Sequence, residues 1–136
     1  MKNIKKKKTI YLAGYSKESE YRRIVKEKYG ELFTLIDPMD FEIEKLAKTM
    51  AVEDASHLVI KRDKEMIMGS DILVAYVNRP SFGTVMEIMF AFMNGIPVYI
   101  INENKEWLND LWLYYHATEL FNSIESCFEY LISNTV

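Results

Sequence analysis

The sequence holds few of the side chains that build disulfides or zinc sites. Cys127 is the one cysteine among 136 residues, and His57 and His116 are the two histidines. A disulfide framework needs paired cysteines, and a structural zinc site takes about four Cys or His ligands. We therefore expect neither a disulfide nor a bound metal ion.

A basic surplus and a long apolar run are missing as well. The 17 Lys and Arg residues stand against 20 Asp and Glu residues, which gives a net charge of −3. Proteins that bind nucleic acid polymers usually carry a positive excess, and a membrane-spanning helix needs about 20 apolar residues. The charged N-terminus does not lead into the long apolar stretch of a signal peptide. We therefore expect no nucleic acid polymer and no membrane as partner, and a cytoplasmic location.

Phosphate-binding glycine motifs do not occur either. Gly14 is followed by Tyr15 and Ser16 rather than by further glycines, and no glycine precedes a Lys-Ser or Lys-Thr pair. Both the dinucleotide fingerprint and the P-loop depend on such glycines, because the backbone must approach the phosphates closely. The sequence therefore excludes these two nucleotide-binding classes.

The composition that remains is that of a folded domain. Hydrophobic residues make up 49% of the chain and charged residues 27%, which excludes global disorder. The length corresponds to one domain. We expect residues 1–8, which contain a run of four lysines, to be a flexible basic tail, and residues 9–136 to be a single domain.

Strand-like and helix-like segments alternate along the chain. The predicted strands are residues 9–13, 33–36, 72–77 and 97–101, and the predicted helices are residues 19–29, 53–68, 85–93 and 123–132. From Trp107 to the last helix the pattern indicates irregular structure. This alternation predicts right-handed crossovers and a parallel sheet. Ligands bind beyond the carboxyl ends of parallel strands, so residues 14–19, 37–41 and 78–87 are the candidate site segments.

Glu87 has two interpretations from its position near the start of a predicted helix. A carboxylate in the first turn faces unpaired backbone N–H groups, which favours the ionised form and makes Glu87 an available nucleophile. Alternatively, Thr84 and Glu87 form a capping box, in which the glutamate only satisfies the backbone N–H of Thr84. The spacing leaves both interpretations open.

Other polar and aromatic residues near these segments are equally ambiguous. Asp63, between Arg62 and Lys64, is either a charge on a solvated helix face or the second carboxylate that glycosidic cleavage requires. Asp71 fits a turn residue. Tyr11 and Tyr15 border the first strand-to-helix turn. An aromatic ring there either stacks on a base or packs within the protein, and packing is the simpler role.

Four segments together resemble the nucleoside 2-deoxyribosyltransferase family, which includes the 2'-deoxynucleoside 5'-monophosphate N-glycosidases. They are residues 9–14, 63–71, 82–91 and 95–98. The Gly-Thr-x-x-Glu-x-x-x-Ala block at residues 83–91 is the most specific of them. The resemblance implies an α/β fold, a flavodoxin-like three-layer αβα sandwich with a central five-stranded parallel sheet.

The resemblance also implies roles for three residues. Glu87 would attack C1' of the sugar and form a deoxyribosyl ester, and Asp63 would help to protonate the departing base. Tyr11 would orient the Glu87 carboxylate through its hydroxyl. A second base, or water, would then attack C1' with overall retention of configuration, and no cofactor would be needed.

Substrate-binding residues are implied at the first strand-to-helix turn and before the Glu87 helix: Gly14, Tyr15, Ser16, Ser81, Gly83 and Thr84. Transferases of the family often carry an acidic residue shortly before the glycine of the Glu87 motif, where this chain has Pro80, Ser81 and Phe82, and a hydroxyl there resembles the monophosphate-cleaving branch. Ser16, Lys17, Arg22 and Arg23 are further candidates for holding a 5'-phosphate, although Arg22 and Arg23 also fit an exposed helix surface.

Three functions therefore stay open. The first is transfer of the deoxyribosyl group from a 2'-deoxynucleoside to an acceptor base, the second is hydrolysis of 2'-deoxynucleoside 5'-monophosphates, and the third is an inactive nucleotide-binding module. The resemblance further implies a homodimer or a larger homo-oligomer. We expect the aromatic residues 112–118, with Met89, Phe90 and Met93, to form either its interface or ordinary core.

Overall fold

The computed structural model describes residues 6–107 and 109–135, which fold around one parallel sheet. Its strands are β1 (Thr9–Gly14), β2 (Thr34–Ile36), β3 (Ile72–Tyr76), β4 (Val98–Ile101) and β5 (Glu119–Phe121), in the order β2-β1-β3-β4-β5. All four strand pairs are parallel. The helices are α1 (Ser19–Tyr29), α2 (Glu42–Ala47), α3 (Val52–Met68), α4 (Phe82–Met93), α5 (Leu111–His116) and α6 (Ile124–Thr135), with short 3-10 helices at Pro38–Asp40 and Lys105–Trp107.

The sheet separates two apolar layers, because successive strand residues point to opposite faces. In β1, Ile10 and Leu12 pack into the layer of α1 and α6. Tyr11 and Ala13 pack into the other layer, with residues of α3 and α4. The central strand β3 is buried along its whole length, as expected for a strand covered on both faces. Tyr11 thus faces the layer in which α3 and α4 lie.

Local sequence explains where α4 begins and ends. Ser81 is its N-cap, and the Ser81 Oγ accepts a hydrogen bond from the backbone N–H of Thr84 at 3.4 Å. Two residues beyond Met93, Gly95 has a φ of 73°, a conformation that glycine adopts without the steric cost of a Cβ. The chain then turns directly into β4.

The predicted fold class is confirmed, and most element bounds agree within three residues. The structure differs at three places: α2 was not predicted, α4 begins at Phe82 rather than at residue 85, and the region predicted as irregular after Trp107 contains α5 and β5. Of the predicted N-terminal tail, residues 1–5 lie outside the described residues, and residues 6–8 are exposed. No helix within residues 6–107 and 109–135 is long and apolar enough to cross a membrane.

Candidate active site

Tyr11 and Glu87 meet between β1 and α4. Tyr11 is fully buried in the middle of β1, and its hydroxyl donates a hydrogen bond to Oε2 of Glu87. Glu87 as a whole residue remains partly exposed. The structure thus places in contact the two residues that the family resemblance pairs.

The position of Glu87 on α4 corrects two of the sequence interpretations. Because α4 begins at Phe82 and Ser81 is its N-cap, Glu87 lies in the second turn and the capping box of Thr84 and Glu87 is wrong. The expectation that free N–H groups keep Glu87 ionised is also wrong, because such groups occur only in the first turn. Burial instead raises the pKa of Glu87 to about 7, although the Tyr11 hydrogen bond lowers it.

Asp63 lies in a partly buried ion-pair cluster rather than on a solvated helix face. Its Oδ1 accepts hydrogen bonds from Arg62, at 3.1 Å from Nε and 2.6 Å from Nη2. Arg62 also pairs with Glu44 of α2. Burial raises the pKa of Asp63, and the Arg62 guanidinium opposes that shift.

The charges of Asp63 and Glu87 influence each other. The negative charge of Asp63 contributes to the raised pKa of Glu87, and both carboxylates raise the pKa of Tyr11. Tyr11 and Glu87 are in hydrogen-bond contact, and the charge of Asp63 acts on both of them. The site therefore contains two carboxylates and a tyrosine hydroxyl, contributed by β1, α3 and α4.

A cavity of about 530 Å³ opens between the loop after β1 and the start of α4. All six predicted substrate-binding residues line it, together with Pro80 and Phe82: Gly14, Tyr15, Ser16, Ser81, Gly83 and Thr84. Glu87 does not line the cavity, but Gly83 lies four residues before it and therefore on the same helix face. A Cβ at Gly83 would have no atom within 4 Å, so the space beside Gly83 is open.

The arginines of α1 do not serve this cavity directly. Arg22 is only 4% exposed and is surrounded by protein acceptors, so both interpretations offered for it, phosphate contact and solvent-facing surface, are wrong. Arg23 does lie on the exposed surface, where it pairs with Glu20 and Glu27. Asp71, in turn, accepts a hydrogen bond from the backbone N–H of Thr9 at 2.8 Å, as expected for a structural turn residue.

The packing of Tyr15 is now clear. The Arg79 guanidinium lies 4.8 Å from the centroid of its ring, and Arg79 also pairs with Glu18 at 3.4 Å. Tyr15 therefore packs against the Arg79 guanidinium and also lines the cavity.

A second cavity, of about 430 Å³, lies between α4 and α5 and has mostly apolar walls that include Trp107, Trp112 and Leu113. The aromatic residues near this cavity differ in how deeply they are buried. Trp112, Tyr114 and Tyr115 are each 71% exposed, whereas Phe90 packs against the core. Core packing therefore explains Phe90 but not the exposed aromatic residues.

Two residues of the site, Glu44 and Arg62, were not predicted. They meet because α2 packs beside α3, and no local pattern in the sequence signals a contact between two charged side chains 18 residues apart. Within the described parts of the chain, no group of three or more His, Cys, Asp or Glu side chains is arranged to hold a metal ion.

Comparison with known proteins identifies the fold. No family model and no curated protein matches the chain. A 2-deoxyribosyltransferase from Bacillus psychrosaccharolyticus superimposes with a TM-score of 0.67 at 18% sequence identity, over 94% of this chain and 92% of that chain. The chain has the fold of a 2-deoxyribosyltransferase.

Two further solved structures show how widely this fold occurs. A conserved protein from Enterococcus faecalis matches with a TM-score of 0.67 at 18% identity, over 94% of this chain and 99% of that chain. The response regulator TrrA from Thermotoga maritima matches with a TM-score of 0.57 at 10% identity, over 93% of this chain and 97% of that chain. Because a response regulator shares the architecture, the function must be argued from the site.

Proposed function

We propose that this protein cleaves the N-glycosidic bond of 2'-deoxyribonucleosides and transfers the deoxyribosyl group to an acceptor base. The observation that carries this proposal is the hydrogen bond from Tyr11 to Glu87, with Asp63 close enough to raise the pKa of Glu87. Two carboxylates with different partners are what a double displacement at an anomeric carbon requires. The fold shared with a 2-deoxyribosyltransferase adds support.

In the first step the ionised Glu87 attacks C1' of the sugar. The C1'–N bond breaks, its electron pair leaves with the base, and Asp63 in its protonated form supplies a proton to that base. Arg62 holds Oδ1 of Asp63, which leaves the other oxygen for proton transfer. The product of this step is an ester between Glu87 and the deoxyribosyl group.

In the second step an acceptor base attacks C1' and releases Glu87 as a carboxylate. Asp63, now ionised, takes the proton that the attacking nitrogen loses. Each step inverts C1', so the product retains the configuration of the substrate. The 2'-deoxy sugar favours this chemistry because no electron-withdrawing hydroxyl adjoins the positive charge that develops at C1'.

Tyr11 supports the nucleophile as a hydrogen-bond donor. Burial and the negative charge of Glu87 raise the pKa of Tyr11 well above its usual value, so the hydroxyl keeps its proton. A donor fixed on the central sheet restricts the rotation of the Glu87 carboxylate and stabilises its ionised form. No cofactor takes part in this scheme.

A second candidate, hydrolysis of 2'-deoxynucleoside 5'-monophosphates, is favoured by one observation. The cavity at the start of α4 is lined by Ser16 and Ser81 and by the first residues of the helix. Hydroxyls and free N–H groups at a helix N-terminus suit a phosphate, and α4 is 12 residues long. In this reaction water replaces the acceptor base in the second step.

One pair of assays separates these functions. The protein is incubated with thymidine plus adenine, and separately with each 2'-deoxynucleoside 5'-monophosphate in water. New deoxyadenosine supports transfer, whereas free base from the monophosphates alone supports hydrolysis. Binding of either substrate without any product would contradict both reactions and favour an inactive nucleotide-binding module.

A trapping experiment then tests the intermediate. A 2'-fluoro-2'-deoxynucleoside slows both formation and breakdown of the sugar ester, because fluorine destabilises the positive charge at C1'. We expect mass spectrometry to find the added sugar mass on the peptide that contains Glu87. A sugar on another residue, or release of base without any adduct on prolonged incubation, would contradict nucleophilic attack by Glu87.

The proposal extends to the organisation of the chain. We propose that residues 9–136 act as one nucleoside deoxyribosyltransferase-like domain and that residues 1–8 form a basic tail outside it. We further propose a homodimer or larger homo-oligomer whose interface includes α5. Trp112, Tyr114 and Tyr115 are largely exposed on this helix, and exposed apolar patches of this kind often mark interfaces.

A further inference from the structure

We infer that Arg22 is a positioning residue for the substrate loop, the segment of residues 14–18 that joins β1 to α1. In this role Arg22 fixes the backbone against which the 5' end of the sugar binds, without touching the substrate itself. The inference rests on the proposed function, since it assigns a task to a residue behind the proposed cavity.

The contacts of Arg22 reach along the whole substrate loop. Nη2 donates a hydrogen bond to the carbonyl oxygen of Gly14 at 3.0 Å, and Nη1 donates to that of Tyr15 at 2.9 Å and that of Glu18 at 3.3 Å. The carbonyl oxygen of Tyr15 also accepts a hydrogen bond from the backbone N–H of Glu18 at 2.9 Å. One guanidinium therefore contacts the substrate loop at its first, second and last residues.

The guanidinium itself is held from the other side by Asp37. This carboxylate, which follows β2 and is 4% exposed, pairs with Nε of Arg22 at 3.0 Å and with Nζ of Lys26 at 2.8 Å. This buried ion pair, together with the three hydrogen bonds from Nη1 and Nη2, restricts the position of the guanidinium. The substrate loop is thereby fixed relative to the end of β2.

The opposite side of the substrate loop faces the cavity. Gly14, Tyr15 and Ser16 line it, across from Ser81 and Gly83 of the α4 start. Our proposal places C1' at Glu87, one turn further along α4 than Gly83, and the 5' group of the sugar in this cavity. A shift of the loop would therefore weaken contacts to the 5' group more than the chemistry at C1'.

Arg22 also contributes its charge to the site. Its positive charge lowers the pKa of Glu87, together with the Tyr11 hydrogen bond, whereas burial and the negative charges of Asp63 and Glu44 raise that pKa. The residues that shift the pKa of Glu87 thus lie on four different elements: Arg22 on α1, Tyr11 on β1, Asp63 on α3 and Glu44 on α2. A change at Arg22 that moves the guanidinium should consequently displace the acidic limb of the pH–rate profile to higher pH.

The test compares Arg22→Lys with Arg23→Lys, its matched control on the exposed side of the same helix. A lysine keeps the charge opposite Asp37 but cannot donate to three carbonyl groups in the fixed geometry of a guanidinium. Each variant is assayed with a 2'-deoxynucleoside, or its 5'-monophosphate where only that is cleaved, and with the 2',5'-dideoxynucleoside that carries the same base and lacks the 5' group.

We expect wild-type protein and Arg23→Lys to prefer the substrate with the 5' group, measured as the ratio of kcat/KM values. For Arg22→Lys that preference should fall at least about fivefold, through KM, while kcat at the pH optimum changes less than about threefold. An equal loss of kcat/KM on both substrates, with the preference unchanged, would show a merely structural role and overturn the inference.

Two further measurements keep the outcome decisive. If Arg22→Lys does not fold, the double variant Arg22→Met with Asp37→Asn removes both buried charges together and is assayed in its place. Amide hydrogen exchange of residues 15–18 needs no activity and should be faster in the variant than in Arg23→Lys; unchanged exchange would contradict the positioning role. Wild-type protein that cleaves no substrate would instead contradict the proposed function, and hydrogen exchange would still test Arg22.

Discussion

The Tyr11 hydroxyl donates a hydrogen bond to the Glu87 carboxylate across 76 residues of sequence. The donor lies on a fully buried strand, so its position is fixed by the sheet. The acceptor has a pKa raised to about 7 by burial, so protonated and ionised forms of Glu87 coexist near neutral pH. This relationship determines how the site should respond to mutation and to pH.

Replacing the proposed nucleophile gives the most direct prediction. Glu87→Ala should lower kcat at least about 1000-fold, which corresponds to about 4 kcal/mol of transition-state stabilisation, because within residues 6–107 and 109–135 no other carboxylate is hydrogen-bonded to Tyr11. Turnover of the 2'-deoxynucleoside is measured by separation of the released base. Wild-type rates in a folded Glu87→Ala protein would be incompatible with the mechanism.

Removing the Tyr11 donor should weaken the nucleophile without deleting it. Tyr11→Phe keeps the buried ring but removes a hydrogen bond to a charged group, so we expect kcat/KM to fall about 10- to 100-fold. The acidic limb of the pH–rate profile should also move to higher pH, because the hydrogen bond lowers the pKa of Glu87. Tyr29→Phe, in the opposite apolar layer, serves as the control and should leave both quantities unchanged.

The raised pKa of Glu87 also predicts how stability depends on pH. Between about 4.5, the usual value, and about 7, the folded protein keeps a proton that the unfolded chain has lost, so stability falls as the pH rises through this window. Glu87→Gln does not titrate and should gain stability relative to the wild type, by at most about 3 kcal/mol above pH 7. Thermal unfolding of both proteins between pH 4 and pH 9 measures the difference.

Much of the fold could be predicted because its central strands are simple. The apolar runs of β1 and β3 are buried on both faces, and a run of that kind between helical segments indicates a parallel sheet. The edge strand β5 has three residues and pairs with β4 alone. So short a segment shows no periodicity, which is why the sequence indicated irregular structure there.

The site was less predictable because its geometry is tertiary. Ser81 and Thr84 are both suitable N-cap residues, and the sequence does not rank them; the choice of Ser81 moves Glu87 from the first turn to the second. The burial of Arg22 depends on Asp37, which lies beyond the end of a neighbouring strand. In both cases a contact distant in sequence decided the role of the residue.

The proposed oligomer predicts a specific response to charge on α5. Leu111 and Trp112 are 81% and 71% exposed, and Met93 at the end of α4 is 74% exposed. Placing a charge at the centre of an apolar interface opposes association, so Trp112→Glu should convert a sedimenting dimer or larger assembly into monomers. Leu46→Lys, at an exposed apolar residue of α2, is the matched control. A wild-type protein that is fully active as a dilute monomer would exclude this interface.

Substitutions at Gly83 should change stability and substrate binding in opposite directions. An added Cβ at Gly83 would have no atom within 4 Å, and alanine is the better helix former, so Gly83→Ala should raise the free energy of unfolding by roughly 0.4–1 kcal/mol. The same methyl group would occupy space in the cavity that Gly83 lines, so KM should rise several-fold, and Gly83→Val should raise it further. Gly69→Ala, after α3 and with its nearest contact at 3.5 Å, controls for the loss of a glycine. A Gly83→Ala protein with unchanged KM for both nucleosides and monophosphates would mean that substrate does not use this cavity.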